Sequence, residues 1–327
     1  MALHDVGYRS WTGQLAGPWN RWAAIADMGI RGAIKSRWVT RMLFLAWMPA
    51  VWFGAGFFFW EQAVHHPEWR RSAQMFMMGV VNEPVLANAF GENDLAEGRH
   101  QVWAWLLQSF FRNSQAIVMV LIVGVIAPPL ISQDVRSRAF LLYFSRPLLP
   151  RDYMLGKSTV VWTYLMLVST LPAICLYALG VFLSPELDVV QTTWDLPFRV
   201  LLASVVLIIP TTSLALAYSS LTQESRFAAF AWFTTWILGW LSFSILESVE
   251  AIQYQQLNPN GPIDFQSPSP HGRWHFLSLY HTLGRVQAWA FGFVEFRDIW
   301  ISATILIVIT VVSTVILARQ VSKPIRA

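Results

Sequence analysis

Charge is scarce in this sequence. Asp, Glu, Lys and Arg make up 13% of its 327 residues, about half the share of an ordinary soluble domain. Cysteine is scarcer still. The single Cys175 sits inside an apolar run, which excludes an intramolecular disulfide and any cysteine-based metal cluster. A phosphate-binding loop of the form Gly-x4-Gly-Lys-Ser/Thr is also missing. The nearest approach, Gly156–Thr159, has Arg151 where the first glycine belongs and runs straight into an apolar stretch. Nucleotide hydrolysis, if the protein depends on it, therefore belongs to a partner. The net charge of +4 is spread between apolar runs, so it makes no compact nucleic-acid footprint. The first forty residues show no short apolar core ending in a small-residue site, and no cleavable signal peptide is expected.

Apolar surface is what the chain has in excess. Hydrophobic residues make up 55%, with 18 Trp and 22 Phe, rings suited to lipid and its interfaces. Six apolar runs, at 38–60, 113–131, 159–183, 200–218, 227–246 and 299–317, each approach the length that crosses a hydrocarbon core. None alternates apolar with polar residues, which excludes a transmembrane β-barrel. The expected fold is an all-α polytopic membrane protein with six transmembrane helices. The 23 Lys and Arg divide as 15 on the side of both termini and eight opposite, which predicts cytoplasmic N and C termini.

This topology divides the chain into an N-terminal segment, 1–37, and a six-span domain, 38–327. External regions lie at 61–112 and 247–297, and a cytoplasmic loop at 132–158. Trp19, Trp22, Ile25 and Ile34 recur at helical spacing among Arg21, Arg31 and Lys35. That pattern predicts an amphipathic helix, either lying in the interface or folded against the rest of the protein. Pro128 and Pro129 are expected to interrupt the second span near its end. In the external regions 69–81 and 102–111 read as short helices. The aromatic stretch 274–296, broken by Gly284 and Gly292, reads as one or two interfacial helices or a partial dip into the membrane.

The spans hold almost nothing ionisable: Arg41 stands near one end, and all seven His lie outside. Ion-coupled secondary transport usually relies on intramembrane carboxylates or unwound ion sites, and paired-histidine haem ligation is excluded. Thr211, Thr212, Ser213, Thr234 and Thr235 are either polar contacts for a substrate or packing groups between helices. His65, His66, Met75, Met77 and Met78 in one external region, and His271, His275 and His281 in the other, have side chains that suit copper. Their spacing is not diagnostic.

The most specific stretch is Ile131–Lys157, ISQDVRSRAFLLYFSRPLLPRDYMLGK. It is basic at its edges, apolar and aromatic in the middle, and broken by Pro147 and Pro150. It resembles the cytoplasmic loop after the second span of ABC-2 type transporter permeases. Asp134 stands at that family's acidic position, Ser145-Arg146-Pro147 at its S-x-P, Arg151 at its arginine, and Gly156-Lys157 at its closing pair. Arg138 and Ala139 replace its Gly-Thr. The resemblance implies an ABC-2, type V exporter-like permease fold in a bacterial cytoplasmic membrane. It implies two ATP-binding subunits carrying ATP and Mg, a second permease chain, identical or related, and surrounding lipid, with no cofactor or catalytic site in this chain. Phe140, Leu141, Tyr143 and Phe144 would fill a groove on the ATPase, or else pack on the protein's own helices. Arg136, Arg138 and Arg146 would surround them. Asp134 would pair with an arginine or cap a helix, and Arg151 and Lys157 would help couple the loop or only fix the topology. The alternatives are a non-conducting mechanical subunit of an ATP-driven complex, or a membrane assembly factor such as one for copper-site maturation.

Overall fold

The computed structural model describes residues 19–80, 89, 98–139, 148–185, 188–257 and 273–326. Every regular element among them is helical. Six helices or helix pairs are long and apolar enough to cross a membrane: Arg37–His65, Ile117–Arg136, Pro150–Leu183, Asp188–Leu221, Ser225–Gln253 and Phe296–Ser322. These are the six runs of the sequence, several extended at one end.

In chain order, α1 is Trp19–Ile34, α2 Arg37–Ala46 and α3 Met48–His65; α2 and α3 together form span one. The break between them falls at Trp47, because Pro49 in the first turn of α3 has no N–H to continue the ladder. Helix α4 is Arg70–Val80 and α5 is Arg99–Ser114, the two short helices expected in that region. One π-helical turn, Gln115–Met119, joins α5 to α6, Val120–Arg136, so span two continues a helix that begins outside it. Span three is α7, Pro150–Leu165, a second π turn, and α8, Leu171–Leu183. The short α9, Asp188–Thr193, leads into α10, Leu196–Leu221, which is span four. Span five is α11, Ser225–Leu257. Helix α12 is Leu279–Phe291, and span six is α13, Phe296–Arg326.

The elements sort to two ends of the bundle. Helices α4, α5, α9 and α12 gather at one, the cap end. The other, the loop end, carries the junction between α6 and α7. Spans two and four are the most enclosed, with 61% of each apolar window buried, and span five the least, with 11%. Lipid supplies no hydrophobic force between helices, so close packing and small residues must hold them together. The α1–α7 crossing shows this. A Cβ on Gly156 would lie 2.7 Å from the Ile25 Cβ, and one on Gly29 2.5 Å from a Val160 methyl. Tyr164 adds a hydrogen bond to the Ile30 carbonyl at 2.8 Å. The N-terminal amphipathic helix is therefore docked on span three, while Met28 and Ile34 stay exposed on its free face.

Pro128 and Pro129, expected to interrupt the ladder near the end of span two, lie inside α6, which continues past them to Arg136. The Ser219 hydroxyl of α10 accepts the Ile131 and Ser132 N–H groups, each at 3.1 Å, and donates to the Pro128 carbonyl at 2.6 Å. A neighbouring helix thus ties the backbone just past the prolines, as membrane helices allow, and α6 runs two turns further.

Gly284 does not break α12 either. The helix runs through it and packs against α5, α10, α11 and α13, with Leu283, Val286 and Gln287 buried. Having no side chain, Gly284 leaves room for the Arg112 guanidinium of α5. Arg112 donates to the Tyr280 carbonyl at 2.8 Å and lies 3.8 Å above the Tyr280 ring.

Candidate functional site

The loop end is built on the last turn of α6 and the first two turns of α7. Helix α6 stops at Arg136 with its C-terminal carbonyls satisfied in a definite pattern. The Ala139 N–H bonds the Asp134 carbonyl at 3.0 Å and the Arg138 N–H bonds that of Val135 at 3.3 Å. This paired arrangement is the Schellman motif, whose residue after the cap normally adopts the left-handed conformation and is glycine. Here Arg138 adopts it, with φ of 52°. The side chains of Arg136 and Arg138 are exposed.

Helix α7 begins at Pro150, whose fixed φ suits a first turn, nine residues before the expected start of the span. Arg151, Asp152, Tyr153 and Lys157 are therefore helical residues, and the loop of 132–158 shrinks to 137–149. The extension turns Tyr153 and Lys157 inward. The Lys157 ammonium lies 2.7 Å from a carboxylate oxygen of Asp134, and the Tyr153 hydroxyl donates to the same oxygen at 2.6 Å. The side chains of Asp134 and Lys157 are only 14% and 9% exposed. Two residues 23 positions apart thus form an enclosed, charge-assisted clamp across the base of the loop. Among the described residues Asp134 pairs with no arginine and caps no helix start; its partners there are Lys157 and Tyr153. Arg151 is exposed and lies 3.8 Å from Asp152. Phe140, Leu141, Tyr143, Phe144, Arg146 and Pro147 lie outside the described residues.

A second polar cluster occupies the cap end. Glu61, 1% exposed at the end of span one, takes two hydrogen bonds from Arg99, at 3.1 and 3.0 Å, and one from the Trp103 indole at 3.1 Å. His65 lies 3.8 Å away. Beside it, Asp195 receives His100 at 2.9 Å and Arg199 at 2.6 Å, and Arg199 also donates to the Phe291 carbonyl. Span one therefore carries an enclosed carboxylate. The apolar-run count missed it because it stops at Trp60, one residue short. The readable signal was Glu61 continuing the helix, with Arg99 opening α5.

Most polar groups within the spans have a local use, although the buried Thr212 hydroxyl has no hydrogen-bond partner among the described residues. Thr211, Ser213 and Thr235 donate to carbonyls four residues back on their own helices, and Tyr218 pairs with Thr235 at 2.8 Å. Those contacts are of the packing kind. The histidines proposed for copper are dispersed: His275 faces Arg285, and His281 stacks on Phe243 at 3.5 Å. Among the described residues no three His, Cys, Asp or Glu side chains converge on one point; His271 is outside them. Burial and the nearby Arg112 hold the His281 imidazole down at about 4 from 6.5.

No family model matches the chain, and a comparison with curated proteins returns no significant match. What composition and fold define is a class: an all-α, multi-pass membrane protein with six long apolar helices.

Proposed function

We propose that this chain is the permease subunit of an ATP-driven ABC transporter of the ABC-2 class, working as an exporter in a bacterial cytoplasmic membrane. One observation carries the reading. Asp134 and Lys157, two of the positions at which Ile131–Lys157 resembles that family's cytoplasmic loop, meet as an enclosed ion pair. The clamp joins the ends of spans two and three, and the intervening residues would then move as one unit. A push on that unit would reach both spans without being absorbed by a slack linker. The aromatic residues of 140–144 would then be the anchors on an ATP-binding subunit, and Arg136 and Arg138, exposed where α6 ends, would supply orientation. With this loop and both termini cytoplasmic, the cap end faces outward. Span five, the most exposed helix, is the natural seam for a second permease chain.

The test is affinity purification of the full-length chain in mild detergent, with identification of co-purifying proteins. An ATP-binding subunit should be recovered with the native chain and lost with a Phe140→Asp, Phe144→Asp pair that still enters the membrane. Recovery of the same subunit with that pair would refute the docking role. Recovery of none with the native chain would refute the class.

A further inference from the structure

Two recesses lie in line along α10. The first, of about 330 Å³ at the cap end, is lined by Trp194, Asp195, Phe198, Arg199 and Leu202. The second, of about 300 Å³ between spans four and six, is lined by Val205, Ile209 and Pro210 on one side and Leu306, Ile307 and Val311 on the other. On an α-helix, 198, 202, 205 and 209 fall on one face. A ligand laid along that face would meet the two recesses as one groove, polar and aromatic at its mouth and aliphatic below. Phe198 to Ile209 spans about 16 Å at 1.5 Å per residue, a length comparable to an acyl chain.

The mouth is unusual in carrying both signs of charge with capacity to spare. Arg199 spends Nε on Asp195 and Nη1 on the Phe291 carbonyl, and its Nη2 has no partner among the described residues. Asp195 accepts His100 and Arg199, but a carboxylate offers about four lone-pair sites. The Asp195 and Arg199 side chains remain 26% and 31% exposed. Trp194 and Phe198, each 63% exposed, flank them as rings do at a membrane interface.

We infer that this groove binds one phospholipid with a zwitterionic, primary-amine head group, of the phosphatidylethanolamine kind, in the leaflet at the cap end. Its phosphate accepts from Arg199, its ammonium donates to Asp195, and one acyl chain lies along Val205 and Ile209 against span six. A head group carrying only negative charge would meet Asp195 unfavourably. A trimethylated amine has no N–H to give it. The inference requires only that the chain spans a membrane and is independent of the ATPase partner.

The experiment is native mass spectrometry of the delipidated full-length protein. It is offered equimolar phosphatidylethanolamine, phosphatidylcholine and phosphatidylglycerol with matched chains, and separately glycerophosphoethanolamine or inorganic phosphate. One phosphatidylethanolamine per chain should be retained about ten-fold over the other two lipids, the discrimination one charge-assisted hydrogen bond provides. Neither small head-group compound should be held. Filling the groove with Val205→Trp and Ile307→Trp, both at exposed positions, should remove that lipid without moving the unfolding midpoint. Asp195→Asn should keep a lipid but lose the preference. Equal retention of all three lipids marks an ordinary lipid shell and overturns the inference. So does full retention by the filled groove, or binding of the head-group compounds alone. Should Asp195→Asn fail to fold, the filled-groove variant decides.

Discussion

Replacing Lys157 by Met tests the clamp most directly. The substitution keeps the length and most of the volume of the side chain but leaves the Asp134 carboxylate with Tyr153 as its one remaining partner of the two. Removing one member of a buried pair costs about 3–5 kcal/mol, mostly because the other charge is stranded. Both side chains keep some exposure, 14% and 9%, so the lower end, about 3 kcal/mol, is expected. Asp134→Asn in the same protein removes the stranded charge. The double variant should therefore recover much of the loss, leaving a net cost of about 1 kcal/mol, well short of the sum of the two single costs. Tyr153→Phe alone deletes one hydrogen bond to a charged acceptor and should cost about 1.5 kcal/mol. The measurement is unfolding of the native chain, the single variants Lys157→Met, Asp134→Asn and Tyr153→Phe, and the double variant in mixed micelles, on one denaturant scale. If Lys157→Met costs less than about 0.5 kcal/mol, in the range of an exposed pair, the clamp does not hold the loop. Additive single and double effects would also refute it.

Arg138→Gly should stabilise the protein by about 1 kcal/mol, since it relieves a left-handed conformation at φ 52° that costs an L-residue about that much; an unchanged or lower unfolding midpoint would refute the Schellman assignment. Glu61→Ala should destabilise by about 3 kcal/mol or more, because it strands Arg99 against Trp103 in an enclosed site; Glu61→Gln, which keeps the acceptor oxygen, should cost less in the same assay. Lowering the pH should weaken the fold through His281, whose folded value of about 4 lies below its ordinary 6.5. Between those values the unfolded chain binds a proton the folded chain refuses, so stability rises with pH across that window. His281→Gln should flatten that part of a pH–stability profile, and an unaltered slope would count against it.

The sequence by itself determined the class of fold. Six apolar runs of near-constant length admit no soluble or barrel alternative, and the amphipathic pieces at 19–34, 69–81 and 102–111 were legible from spacing, because burial of one helix face is a local, periodic demand. Helix ends were not legible, since what sets them is supplied from far away in the chain. Pro128 and Pro129 look like a stop until Ser219, on another span, is seen to bond the backbone at Pro128, Ile131 and Ser132. Gly284 looks like a break until the Arg112 guanidinium is seen to need the space. Lys157 counted as one more positive loop charge, and Glu61 as a residue just outside a span. Only tertiary structure turned them into enclosed ion pairs, because a charge leaves water when its opposite is brought to meet it, and that meeting joins residues 23 and 38 positions apart.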